Sequence, residues 1–356
     1  MKKPIILHTI MMLSMLILIL SGCKKDPATV TQDPPLELQE PNIPGIMMTL
    51  SAISYVAEKL EPKIIRDSID ILLNDRSLGT RGLWQRAWGP GISSNIANSV
   101  NLVYVARLNT LPNPTYAIVI RGTNMANKID SAQDVDVFTQ VQFKYGETGD
   151  LVARGAMNGL DTLLLTKDFV TKKTLETFLD SIKRTTKTTL FITGHSQGGY
   201  LAPLMAYWVM KDTSFKDMFT VRTYTFAAPG IVNKQFKDNF MTTLQQQSGS
   251  IKMIVNSLDV IPYFWTDLPG IIDKHIPVAV PAHFSDIYTL AEIVLKGNGI
   301  TYYNVAPDSA IGSIPVIPPQ QPQTKEDSIA YYKKWAEVEH YHNNYLYLLG
   351  EPPLPF

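Results

Sequence analysis

Residues 188–209 read TTLFITGHSQGGYLAPLMAYWV. Thr188–Thr193 is β-branched and apolar, as a buried strand is, and Tyr200–Val209 reads as a buried helix. Between them lies Gly194-His195-Ser196-Gln197-Gly198-Gly199. A strand that turns at once into a helix, with a serine at the tip, is the context of a G-x-S-x-G nucleophile elbow. The glycines have a steric reason: the bend is sharp, and side chains at Gly194 and Gly198 would crowd it. The competing reading is an ordinary glycine-rich strand-to-helix turn.

A serine hydroxyl is a poor nucleophile at neutral pH. It needs a histidine to take its proton and usually an aspartate to orient that histidine. The chain has 6 His. His195 adjoins Ser196, but the tight turn points it away, so it reads as structural. His8 belongs to an N-terminal targeting segment. His275, His283, His340 and His342 remain as candidate bases.

The flanking sequence alternates. Val103–Leu108 and Tyr116–Ile120 read as strands split by the turn signal Pro112-Asn113-Pro114, and Arg222–Ala227 and Ile251–Asn256 are further strand candidates. Helical spacing marks residues 46–60 and 63–74, the Leu175, Phe178, Leu179, Ile182 series, and a last stretch from Thr324 to about Leu349. Thr324 with Asp327 three residues on resembles a helix-capping start. Strands alternating with helices imply a mainly parallel central sheet with helices on both faces, an α/β fold.

The chain has 356 residues, 32 Lys+Arg and 32 Asp+Glu, so its net charge is zero with His neutral. That balance gives a nucleic-acid partner no electrostatic support. The apolar fraction of 45% excludes a disordered chain. The single cysteine, Cys23, allows neither an intrachain disulfide nor a Cys-based zinc site.

Lys2 and Lys3 precede an apolar run from Ile5 to Leu20, the layout of a secretory signal. The run has about 16 residues, short of the roughly 20 that a membrane span needs. Leu20-Ser21-Gly22-Cys23 resembles the bacterial lipoprotein lipobox, which implies cleavage before Cys23 and lipid attachment to it. Lys24 in place of Asp then points toward the outer membrane. Residues 1–22 are thus expected to be a signal peptide, and residues 23–44, with Pro27, Pro34, Pro35, Pro41 and Pro44, a lipidated tether. Residues 45–356 are expected to form one catalytic domain with a long insertion at about 265–323, either a cover over the serine's site or an ordinary packed excursion.

Several segments together resemble class 3 lipases, which are α/β-hydrolases. They are GHSQGG, the strand YAIVIRGT, VARGAMNGL at 152–160 (similar to that family's V-H-x-G-F segment), TYTFAAPGIVN at 223–233 and SLDVIP at 257–262. The resemblance covers about residues 46–349. It implies Ser196 as nucleophile and Asp259 as triad acid. The family's His five residues before a Tyr is matched by His340 and Tyr345, which implies His340 as base; His342, His275 and His283 stay open as alternatives. At most one of His340 and His342 can serve on a continuous helix, since positions two apart face nearly opposite sides. The resemblance also implies the Gln197 backbone N–H and Thr123 as oxyanion donors, and no metal or other cofactor. Asp134 and Asp136 fall in a segment similar to the family's lid region and read as shaping it. Ala153 stands where the family often has His, Ala156 where it has Phe, and Ala227 where it has Gly.

The implied function is a serine ester hydrolase on lipid acyl esters, held to a membrane through Cys23. An esterase on small or cell-wall esters, and a binding lipoprotein on a non-catalytic hydrolase scaffold, are the alternatives. Oligomeric state is not readable from the sequence.

Overall fold

Alternation along one strand sets the layering. Ile118 and Ile120 face one buried cluster with Leu190 and Ile192, while Ala117 and Val119 face a second with Phe191. Successive strand side chains point to opposite faces, so a strand apolar at every position is covered on both sides. The computed structural model describes residues 42–56, 61–95, 98–108, 114–123, 136–182, 187–273, 275–312, 315–317, 322 and 324–356. The stretch read as a signal peptide, Cys23, most of the stretch read as a tether and Asp134 lie outside the described residues.

The chain enters through helices α1 (Ile43–Ile53) and α2 (Pro62–Asn74), then strands β1 (Trp84–Asn95), β2 (Asn98–Leu108) and β3 (Thr115–Ile120). A small hairpin, β4 (Gln140–Gln142) and β5 (Leu151–Ala153), leads into α3 (Arg154–Leu165) and α4 (Leu175–Ser181). There follow β6 (Thr188–His195), α5 (Gln197–Lys211), β7 (Phe219–Phe226), α6 (Lys234–Gln246) and β8 (Ser250–Asn256). The chain closes with α7 (Leu268–Asp273), α8 (Ala282–Gly297), β9 (Asp308–Ile311), α9 (Lys325–His340) and α10 (His342–Leu348). The main sheet runs β1-β2-β3-β6-β7-β8-β9. β3, β6, β7, β8 and β9 are mutually parallel, and β1 and β2 add an antiparallel edge. This is the α/β-hydrolase arrangement expected from the sequence.

Two boundaries differ from the sequence reading, one near each end of the described residues. α1 starts at Ile43, because the Asn42 side chain accepts the Gly45 N–H at 3.1 Å and Pro44 sits in the first turn, where its missing N–H costs nothing. Two of the residues read as tether are therefore helix. The 265–323 stretch contributes β9 to the sheet, and α8 buries Phe284, Tyr288, Ala291 and Leu295. The last helical stretch is broken at Tyr341, which has extended backbone between α9 and α10.

Candidate active site

Four strand ends meet at the carboxyl edge of the parallel sheet, where ligand sites of open α/β sheets lie. β6 delivers Ser196 there, with φ 58 and ψ −123, a left-handed conformation that a non-glycine residue holds only under constraint. The constraint is visible in its neighbours. A Cβ at Gly194 would overlap the Gly198 carbonyl, and a Cβ at Gly198 would overlap the Ile120 carbonyl oxygen. The Ser196 N–H is held by the Phe226 carbonyl at 2.9 Å. α5 starts at the next residue, so the positive end of its dipole faces the serine.

His340 Nε2 lies 2.9 Å from Ser196 Oγ, and His340 Nδ1 lies 2.8 Å from Asp259 Oδ2. Asp259 is fully buried in the turn after β8. The Ile261 N–H donates to its Oδ1 at 2.9 Å and the Tyr345 hydroxyl to its Oδ2 at 2.8 Å. With Nδ1–H directed at the carboxylate, the Nε2 lone pair is left for the serine proton.

The break at Tyr341 separates His340 from His342 by a turn of the chain, which corrects the expectation of one continuous helix. His340 ends α9 over Ser196. His342 opens α10, buried, its ring stacked 5.0 Å from that of Tyr55 and tilted against that of Tyr341 at 4.2 Å. Burial, with His340 beside it, pushes its pKa down to about 3, so it stays neutral, and among the described residues its Nε2 has no hydrogen-bond partner. His275 pairs with Asp267 at 2.9 Å and stacks on Tyr263, and His283 is exposed on α8. Asp136 is held by Arg154 through bonds of 2.7 and 2.8 Å. Of the alternatives, none shares the hydrogen-bonded line that joins Ser196, His340 and Asp259.

Both proposed oxyanion donors follow strands that end side by side. Ile120 and Gly194 are in register, Thr123 follows three residues beyond the first and Ser196 two beyond the second. Thr123 is nearly buried, and Gln197 is the first residue of α5, whose opening N–H groups have no partner within the helix by geometry.

Residues that sequence reasoning missed hold this arrangement. Glu339 is buried, its Oε2 accepting from Asn256 at 2.8 Å and Asn344 at 3.1 Å, its Oε1 from the Val316 N–H at 2.8 Å. It thereby fastens the end of β8 to both helices around His340. His195 points away from Ser196, as expected, but not into idle space: its Nε2 lies 2.9 Å from the His340 carbonyl oxygen. Among the described residues no cluster of His, Cys, Asp or Glu could hold a metal ion, and no helix is long and apolar enough to cross a membrane.

Residues 117–268 match the class 3 lipase family model. With that match the chain is a lipase-like serine hydrolase, a carboxylic ester hydrolase. The matched segment holds Thr123, Ser196, Gln197 and Asp259; His340 lies beyond it and comes to the site through the fold. The fold of this lipase-like chain is similar to that of M37 lipase, at 22% identity and a TM-score of 0.67 over 88% of this chain and 94% of that one. Lipases of Rhizopus microsporus var. chinensis (16% identity, TM-score 0.46, 62% of this chain and 68% of that one) and Yarrowia lipolytica (16%, 0.45, 63% and 73%) are also similar. No curated protein matches the sequence.

Proposed function

We propose that the chain hydrolyses lipid acyl esters through a Ser196–His340–Asp259 acyl-enzyme mechanism. The observation that carries this is the continuous line from Ser196 Oγ to His340 Nε2 at 2.9 Å and from His340 Nδ1 to Asp259 at 2.8 Å. Ser196 Oγ attacks the ester carbonyl while its proton passes to His340 Nε2. Asp259 stabilises the imidazolium that forms and keeps its ring in place. The developing oxyanion is held by the Gln197 N–H and by Thr123, electrostatic help that elsewhere contributes roughly 10²–10³ in kcat per donor. The imidazolium returns the proton to the departing alcohol. Water then repeats the sequence on the acyl-enzyme, and Ser196 is restored.

Lipid esters as the substrate class rest on the class 3 lipase match of the central segment and on the likeness to a protein described as a lipase. The membrane attachment rests on Leu20–Cys23: several acyl chains on one cysteine, at ~0.8 kcal/mol per buried methylene, would hold the enzyme on the bacterial envelope. Lys24 favours the outer membrane. Fluorophosphonate labelling of residues 42–356, followed by rates on p-nitrophenyl esters of increasing chain length, tests the reading. The expected result is labelling lost in Ser196→Ala and rates that rise toward long chains. A chain that neither labels nor turns over any ester is a binding scaffold, and one that prefers acetate is a small-ester esterase.

A further inference from the structure

The residue before the nucleophile meets the residue that carries the base. His195 ends β6, is buried, and its ring centroid lies 4.8 Å from that of His340. Its Nε2 is 2.9 Å from the His340 carbonyl oxygen, and its Nδ1 is 2.9 Å from the Tyr55 hydroxyl. A carbonyl can only accept, so Nε2 carries the hydrogen. Burial, with His340 and His342 nearby, holds the His195 pKa well below its ordinary value, so the ring is neutral and Nδ1 is an acceptor. The Tyr55 hydroxyl therefore donates to Nδ1, and that bond selects the tautomer which donates to His340.

The accepting carbonyl has a special place. The last carbonyls of a helix have no partner within it, and His340 is the final residue of α9. The helix ladder stops there: Tyr341 has extended backbone, and the first N–H groups of α10 turn to the Tyr341 carbonyl, not to that of His340. His195 supplies the missing donor. Tyr55, in turn, also reaches the third functional segment: a Cβ at Gly122, beside Thr123, would overlap its hydroxyl. It stacks on His342 as well. One tyrosine and one histidine thus touch the segments that bear the nucleophile, the base and the oxyanion donor.

We infer that His195, locked by Tyr55, is a positioning residue that fixes the backbone of His340 and so aims Nε2 at Ser196. It makes no contact with substrate and takes no proton in the reaction. This rests on the reading of His340 as base. A displacement of about 1 Å at such a site costs up to roughly 10² in rate, without loss of substrate binding.

The test uses the full chain purified in detergent, with kcat and KM on a p-nitrophenyl ester and thermal unfolding for each variant. His195→Gln keeps a donor near the Nε2 position; His195→Asn places its amide near Nδ1, too short to reach the carbonyl. The expected result is kcat lowered 10- to 100-fold in His195→Leu and His195→Asn, KM within about threefold, and kcat within about fivefold of the parent in His195→Gln. Tyr55→Phe, a milder change in case His195→Leu does not fold, should lower kcat about 3- to 10-fold by freeing the tautomer. Parental kcat in folded His195→Leu or in Tyr55→Phe overturns the inference, as does equal impairment of the Gln and Asn variants. His340→Ala in the same assay separates the two levels: if it stays active, the base assignment has failed, and if it is dead while His195→Leu is unimpaired, only the positioning role has failed.

Discussion

Tyr345 donates its hydroxyl hydrogen to Asp259 at 2.8 Å and accepts the Asn256 N–H at 2.9 Å. The helix after His340 therefore holds Asp259, and the strand end that bears Asp259 holds that helix. Both atoms lie where water does not reach.

Tyr345→Phe leaves the Asn256 N–H without its acceptor and Asp259 Oδ2 one donor short. Each unpaired buried group costs about 1–3 kcal/mol. Urea unfolding should show a loss in that range, and kcat should fall about tenfold as Asp259 loosens. A variant of parental stability would show that the hydroxyl does not hold the acid.

His342 makes stability fall in acid. Its folded pKa is pushed down to about 3, against about 6.5 in the unfolded chain. Below about pH 6.5 the unfolded state binds a proton that the folded state refuses. Stability therefore drops as pH falls from about 6.5 to about 3, by up to ~1.4 kcal/mol per unit for this group. Denaturant midpoints of His342→Phe should decline less over that window, with a relative gain of ~2 kcal/mol at about pH 5. Parallel profiles for the two proteins would contradict the burial argument.

Ala227 holds φ 54 where class 3 lipases often have Gly. The left-handed conformation costs an L-residue ~1–2 kcal/mol. Relief of that cost in Ala227→Gly is offset by the lost methyl burial and by the freer unfolded chain, ~0.8 and ~0.4–1 kcal/mol. The net change should stay within about 0.5 kcal/mol. Ala206→Gly, equally buried but in the middle of α5, has no strain to relieve and should lose ~2 kcal/mol. Equal losses in urea unfolding would mean that Ala227 is not strained.

Cys23→Ser tests the proposed anchor. Expressed with its N-terminal segment in a bacterium, the parent should fractionate with membranes and the variant should not, or should stay unprocessed. Unchanged fractionation removes the lipobox reading and leaves the catalytic one intact.

What could be read from the sequence was what local sterics dictate. Gly194 and Gly198 are demanded within a few residues of Ser196, so the elbow announces itself. The doubly covered strands do the same, being apolar at every position. β1 stayed hidden because Gly89-Pro90-Gly91 reads as a turn; its strand pairing comes from β2 with shifts in register. β9 is four exposed or half-exposed residues that are a strand only because β8 lies beside them. The break at Tyr341 has no glycine or proline to mark it. It comes from distant partners: Glu339 binding Asn256 and Asn344, Tyr345 binding Asp259, and His342 stacking on Tyr55. The direction of the His195 ring has the same tertiary origin.

The most direct test of the catalytic account is kcat of His340→Ala beside His342→Phe on one ester. Ser196 Oγ has its 2.9 Å acceptor in His340, and His342 is a neutral ring packed behind it. The account predicts that His340→Ala lowers kcat by several orders of magnitude and that adding Ser196→Ala lowers it little further, because members of a catalytic unit do not act additively. His342→Phe should keep kcat within about tenfold of the parent. A His340→Ala enzyme that still turns over, next to an inactive but folded His342→Phe enzyme, would contradict it.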